Sequence, residues 1–119
     1  MPQINIQDKR MRQLQHAGAS GDIKTIRRLL EDERVEPDII DLTSPTHAHT
    51  GSQTSATKGR LKALELFFMN GAYPYTYSRT GIPLEGLSGM HGHTRCANYI
   101  KEVKLRYDIK ELAESYSDE

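Results

Sequence analysis

Gly21, Gly59 and Gly92 lie 38 and 33 residues apart, and their surroundings match. The three segments read Gly21-Asp22-Ile23-Lys24-Thr25-Ile26-Arg27-Arg28-Leu29-Leu30, Gly59-Arg60-Leu61-Lys62-Ala63-Leu64-Glu65 and Gly92-His93-Thr94-Arg95-Cys96-Ala97-Asn98. A recurrence near 33 residues leaves few folds open. A unit of that length is two helices and a turn, too small to bury its own apolar stripe, so copies must stack. Such stacks usually present a surface to a partner rather than perform a reaction. Ile26, Leu64 and Ala97 are expected at equivalent points on successive layers.

The 119 residues suffice for one small domain, with an apolar fraction of 36% that predicts a modest core. Sixteen basic residues balance sixteen acidic ones, so no global field draws nucleic acid or an anionic membrane. The single cysteine, Cys96, permits no intramolecular disulfide and suits a reducing compartment. No apolar run reaches the ~18 residues of a membrane span, and the first residues do not open a secretory signal. A cytoplasmic or nuclear location is the default expectation.

Asp8 is a plausible cap for a first helix over 9–20. Gly18 and Gly21 allow a tight turn, and 23–32 reads as a second helix with Ile23, Ile26, Leu29 and Leu30 on one face. Pro37 makes 33–42 an extended connection. Residues 43–60 contain no Leu, Ile, Val, Phe, Met or Tyr; a helix there has almost nothing to bury, which argues for looseness. A strongly apolar helix follows over 61–70, ended by Asn70-Gly71. Tyr73, Tyr75 and Tyr77 then alternate around Pro74, a period of two that predicts an extended arm or hairpin. Residues 82–90 and 94–107 form a last helical pair. Asp108-Ile109-Lys110-Glu111 has capping-box spacing and predicts a short terminal helix over 109–115.

These residues resemble the ankyrin-repeat family, from about residue 14 to 103. Leu14, Ala17, Gly21, Ile26 and Leu29-Leu30 fit its pattern in the first unit. Thr50, Ala56, Gly59, Leu61, Leu64, Phe67-Phe68 and Asn70-Gly71-Ala72-Tyr73-Pro74 fit in the second, and Pro83-Leu84, Gly92-His93, Ala97 and Ile100 in the third. Where the family has Thr-Pro-Leu-His, the second unit reads Thr50-Gly51-Ser52-Gln53, without the buried leucine and the bracing histidine. The third reads Ile82-Pro83-Leu84-Glu85, one residue out of step. The resemblance implies an all-α, ankyrin-like solenoid of about three helix-turn-helix repeats with extended hairpin-like connections. The repeats would cover about 9–42, 43–78 and 79–107, with a C-terminal extension over 108–119.

Three constellations are candidates for function. The tyrosine arm should project its rings to one side, and tyrosine is enriched at binding hot spots; alternatively, one or two rings cover a neighbouring repeat or the Phe67-Phe68 pair. His47-Ala48-His49 and His91-Gly92-His93, with Cys96 nearby, are metal-ligand types, but the ankyrin arrangement puts the two pairs at opposite edges. Residues 43–58, with Ser44-Pro45, form a phosphorylatable stretch or a plain polar loop. No phosphate loop, nucleophile elbow or zinc-protease motif occurs. The expectation is a non-catalytic interaction module without cofactor that docks another protein. Its contacts would be Tyr73, Tyr75, Tyr77 and Arg79, flanked by His47, His49 and Gln53. A His/Cys metal-dependent module and a self-associating helical protein, monomer or weak homodimer, are the alternatives.

Overall fold

A computed structural model describes residues 6–40 and 49–117. The start of the polar lead-in, residues 41–48 with Ser44-Pro45 and His47, and the last two residues lie outside them. Among the described residues the architecture is all-α. Its helices are α1 (Ile6–Ser20), α2 (Ile23–Arg27, continued by a π turn over Arg28–Asp32), α3 (Gly51–Lys58), α4 (Leu61–Met69), α5 (Leu84–Gly89) and α6 (Thr94–Ser117). None is long and apolar enough to cross a membrane.

The three turn glycines do one job three times. Each sits between the helices of a pair with φ of +76°, +71° and +78° respectively, a region that side chains with a Cβ avoid. The residue after each glycine donates its N–H to the carbonyl five residues back: Asp22 to Ala17, Arg60 to Ser55 and His93 to Ser88, at 3.0, 2.9 and 2.9 Å. That same residue opens the next helix by accepting from Ile26, Leu64 and Ala97. Those three side chains are buried, as their equivalence requires.

Each helix packs on its pair-mate and on its counterpart in the next pair. Thus α1 touches α3 and α3 touches α5, while α2 touches α4 and α4 touches α6. Two apolar clusters fill the layers. Leu14, Ile26, Leu29, Leu30, Leu66 and Phe67 centre the first, and Leu64, Leu84, Leu87, Cys96 and Ile100 the second; Phe68 packs against both. The turns stack as well. A Cβ on Gly21 would lie 3.0 Å from the Arg60 side chain, and one on Gly59 would lie 2.5 Å from the His93 ring.

The five extra residues of the first interval are accounted for. The π turn absorbs one: Val35 donates six residues back to Leu29, whereas its counterpart Ala72 donates five back to Phe67. Arg34, at φ +54°, consequently occupies the place of Gly71, at φ +92°. Four more lie between Pro37 and the Thr50 cap, since Pro37–Thr50 spans 13 residues and Pro74–Pro83 spans 9. Pro83 caps α5 as Thr50 caps α3, each nine residues before its turn glycine. The third pair is therefore in step with the second at its helix start, although Pro83 offers no side-chain bond, and the motif Pro83-Leu84 stays one residue early, with Leu84 matching Gly51 rather than Ser52.

The expectation of looseness over 43–60 is overturned for its second half, where α3 is a buried helix. Thr50 and Gln53 form a reciprocal capping box, with bonds of 3.1 and 2.8 Å. Thr54, Ser55 and Thr57 then bond to main chain, as Ser88 does in α5, whereas the buried Ser52 hydroxyl finds no partner among the described residues. Thr54 Oγ1 reaches the Gln15 carbonyl at 3.1 Å, Ser55 Oγ the Gly18 carbonyl at 3.0 Å, and Ser88 Oγ the Ala56 carbonyl at 2.8 Å. Little apolar volume is needed because α1 and α3 approach at Gly18, where a Cβ would stand 2.8 Å from the Gly51 carbonyl. The place that Leu84 takes in the third pair is filled in the second from the next helix. Gly51 corresponds to Leu84, and a Cβ on Gly51 would fall 2.2 Å from Cζ of Phe67, whose buried ring fills the space.

Two boundaries also change. Among the described residues α1 already runs from Ile6, so Asp8 lies inside it and is not its cap, and α6 runs through Asp108 without a break. The expected terminal helix over 109–115 is the continuation of α6, because no breaker follows Tyr107.

Two predictions follow from this packing. Gly51→Ala should destabilise the chain by about 1–3 kcal/mol through overpacking against Phe67. Phe67→Leu in the same chain should give less than the sum of the single effects, read by urea unfolding; strict additivity would refute the contact. Gly92→Ala, with open space around it, should cost only the left-handed penalty of about 1–2 kcal/mol. Gly59→Ala should cost more, and His93→Ala should relieve the difference.

Candidate partner-binding arm

The arm leaves α4 at Gly71 and returns at Pro83. Ala72 and Pro74 are buried and root it. Its tip is a four-residue turn, Ser78-Arg79-Thr80-Gly81, closed by Gly81 N–H to the Ser78 carbonyl at 2.9 Å with Gly81 at φ +82°. Ser78 N–H donates to Ile82 O at 2.8 Å, and Tyr77 bridges antiparallel to Pro83. The expected hairpin is present.

Three elements hold this hairpin in place. Asp38, in the preceding connection, accepts from the Tyr73 N–H at 2.9 Å; burial pushes the Asp38 carboxyl above its ordinary value despite that bond. Gln53 Nε2 donates to the Tyr77 carbonyl at 2.9 Å. From α6, the Tyr75 hydroxyl bonds both carboxylate oxygens of Asp108 at 2.7 Å, while the Lys104 ammonium sits 4.9 Å above the Tyr75 ring. Lys104 also bonds Glu85. Burial raises the Glu85 carboxyl, but the bond and charge of Lys104 outweigh it and hold the group below its usual range. The hydrogen bond to Asp108 pushes the Tyr75 hydroxyl up to about 12.

The three tyrosines do not act alike. Tyr73, Tyr75 and Tyr107 of α6 form a cluster with ring centroids 5.5–6.1 Å apart and tilted or edge-on geometry, the arrangement aromatic quadrupoles favour. Tyr75 is the ring most enclosed by this clamp. Tyr73 stays 44% exposed and Tyr77, on the bridge to the tip, 58% exposed. Arg79 is exposed at the tip. The alternative in which rings cover a neighbour therefore holds for Tyr75 and for one side of Tyr73, both against Tyr107 of α6 rather than the Phe67-Phe68 pair.

The flanking residues divide too. Gln53 is 5% exposed, its amide spent on the capping box and the arm, so it is not the exposed flank expected. His49 is half-buried, its carbonyl accepting from Gln15 Nε2 at 2.6 Å; His47 lies outside the described residues. His49, Thr57, Lys58 and Leu87 line a pocket of about 170 Å³ on the side where first helices stack. His91 and His93 face each other at 6.4 Å on the turn edge, and no group of three metal-ligating side chains gathers among the described residues. Cys96 is buried, which raises its thiol, with Arg95 opposing more weakly.

Lys104, Tyr107 and Asp108 are the residues holding the arm that sequence reasoning missed. Their i, i+3, i+4 spacing marks one helix face, a signal hidden once Asp108 is taken for a cap. The sequence matches no protein-family model and no curated protein.

The Tyr75–Asp108 bond predicts a pH dependence. A tyrosine raised from 10 to about 12 contributes stability that is whole below pH 10 and lost as pH climbs toward 12. The melting-temperature gap between wild type and Tyr75→Phe should thus be constant at pH 8–9 and shrink above pH 10. A gap that persists unchanged at high pH would refute the assignment.

Proposed function

We propose that the chain is a degenerate ankyrin-like solenoid that docks a partner protein through its arm and inner helix face. What supports the repeat reading is the threefold recurrence of one turn geometry, together with helices that contact their counterparts in order. What carries the docking reading is one observation: two tyrosines, Tyr73 and Tyr77, stand exposed on a hairpin already fixed by Asp38, Gln53 and Asp108.

Binding normally costs about 0.5–1.5 kcal/mol for each flexible side chain that must be ordered, and more where a loop must be ordered too. Here the hairpin is ordered before contact. A tyrosine anchor can contribute about 2 kcal/mol or more at a hot spot, so Tyr77 and Tyr73, with Arg79 at the tip, are the proposed anchors. The pocket beside His49 and Leu87 accepts a small apolar group of the same partner. Tyr75 and Gln53 position the arm rather than touch the partner, and the mechanism is steric and non-covalent.

Affinity capture with quantitative mass spectrometry, using the wild-type chain and single variants, tests the reading. Tyr77→Ala should reduce partner recovery about tenfold with circular dichroism and melting unchanged. Tyr75→Ala should reduce both recovery and melting temperature. Undiminished recovery by Tyr77→Ala would overturn the proposal.

A further inference from the structure

The pocket along α3 has a chemistry of its own. It follows one face of that helix from His49, just before the cap, to Lys58 in the last turn, roughly 13 Å at the rise of a helix. Ala19 of α1 and Leu87 of α5 stand on its two sides, where the first helices stack on α3. Its volume of about 170 Å³ far exceeds the ~10–15 Å³ that admits one water and suits one aliphatic side chain.

Most polar groups lining it are already bonded within the chain. Thr54 Oγ1 donates to the Gln15 carbonyl at 3.1 Å, Thr57 Oγ1 to that of Gln53 at 2.8 Å, and Gln53 Nε2 to that of Tyr77 at 2.9 Å. That leaves the exposed Lys58 ammonium and the His49 ring, neither with a partner among the described residues, to meet a ligand. No carboxylate lines the pocket. Helix α3 has none, α1 has none after Asp8, and Glu85 of α5 is held by Lys104. Asp22, three residues past Ala19, accepts from Thr25 with both oxygens. An ammonium with three donors at the end of an apolar cleft is complementary to an anionic acceptor that sits beside an apolar group.

We propose that the pocket seats an acidic segment of the docked partner, with one aliphatic side chain between Ala19 and Leu87 and a neighbouring carboxylate on Lys58. The proposal rests on the docking reading for the existence of a partner and adds the chemistry of the segment. Gln53 belongs both to the pocket wall and to the support of Tyr77, so the pocket and the arm are contiguous.

The test follows the Leu87 and Thr57 methyl signals of the full chain by NMR during titration with three acetylated, amidated peptides. These are Gly-Asp-Leu-Asp-Gly and its counterparts with Asn or Lys in place of both Asp residues. The Asp peptide should shift both signals and bind about two- to fivefold more tightly than the Asn peptide, the range of an exposed ion pair, with the Lys peptide weakest. That margin should shrink as NaCl rises from about 0.05 to 0.3 M. Lys58→Gln should erase it and Lys58→Glu should make the Lys peptide the tightest binder, both with unchanged circular dichroism. Tyr77→Ala should titrate as wild type does, so failure of the arm in affinity capture and failure of the pocket here are separate results. Equal binding of the three peptides, no shift at Leu87 with any of them, or an unchanged margin in both Lys58 variants would overturn the proposal.

Discussion

The rest of the fold hangs on a hydroxyl that reaches from one layer to the main chain of the layer before it. Ser55 bonds the Gly18 carbonyl, and Ser88, 33 residues later, bonds that of Ala56. Gly18 and Ala56 each lie three residues before their turn glycine, and the two serines four. A hydroxymethyl group sets a short spacing between first helices, and the layers can close to it because nothing larger intervenes. The same spacing seats Arg60 over Gly21 and His93 over Gly59. Arg60 Nε adds a 3.0 Å bond to the Ala19 carbonyl across that step. A buried hydroxyl left without these acceptors would destabilise the core it now orders.

That closeness explains what could and could not be read from residues alone. The glycine recurrence was legible because a left-handed turn residue tolerates few substitutes, so it leaves a mark at fixed spacing. The second helices were legible because Ile26, Leu29, Leu64, Phe67 and Phe68 repeat a helical apolar period. Helix α3 was not, since Gly51-Ser52-Gln53-Thr54-Ser55-Ala56 buries main chain and hydroxyls, and apolar periodicity is blind to both. The Ser55–Ser88 pair was there to be seen at the right spacing, but two serines carry no hydrophobic signal. Phe67 standing in at Gly51 for the third pair's Leu84 was likewise invisible, because it depends on α4 lying over the start of α3.

The arm was found from its alternating tyrosines, yet its mechanics were missed for a related reason. A period of two says which rings share a side; it does not say what lies on that side. The answer came from α6, through Lys104, Tyr107 and Asp108, residues of another element about 30 positions away. Asp108 also shows how a local motif is overridden. Its capping-box spacing is real, but a helix already running from Thr94 has no reason to restart, and its carboxylate takes the Tyr75 hydroxyl instead.

The arm and the exposed end of α6 meet at that clamp. The arm is fixed on one side of α6 by Tyr75, and exposed apolar side chains begin on another side of the same helix, at Leu105. Because α5 ends after six residues, nothing on the first-helix side can follow α6 outward, and the last layer closes over only the near half of it. Val103 and Lys104 are half-buried, Tyr107 is held among the arm rings, and every side chain from Asp108 to Tyr116 is exposed. The boundary between packed helix and free helix thus falls at the residue that anchors the arm. A load on the free end would reach the hairpin through a charged hydrogen bond and a cluster of edge-to-face rings, contacts that are directional and therefore transmit orientation.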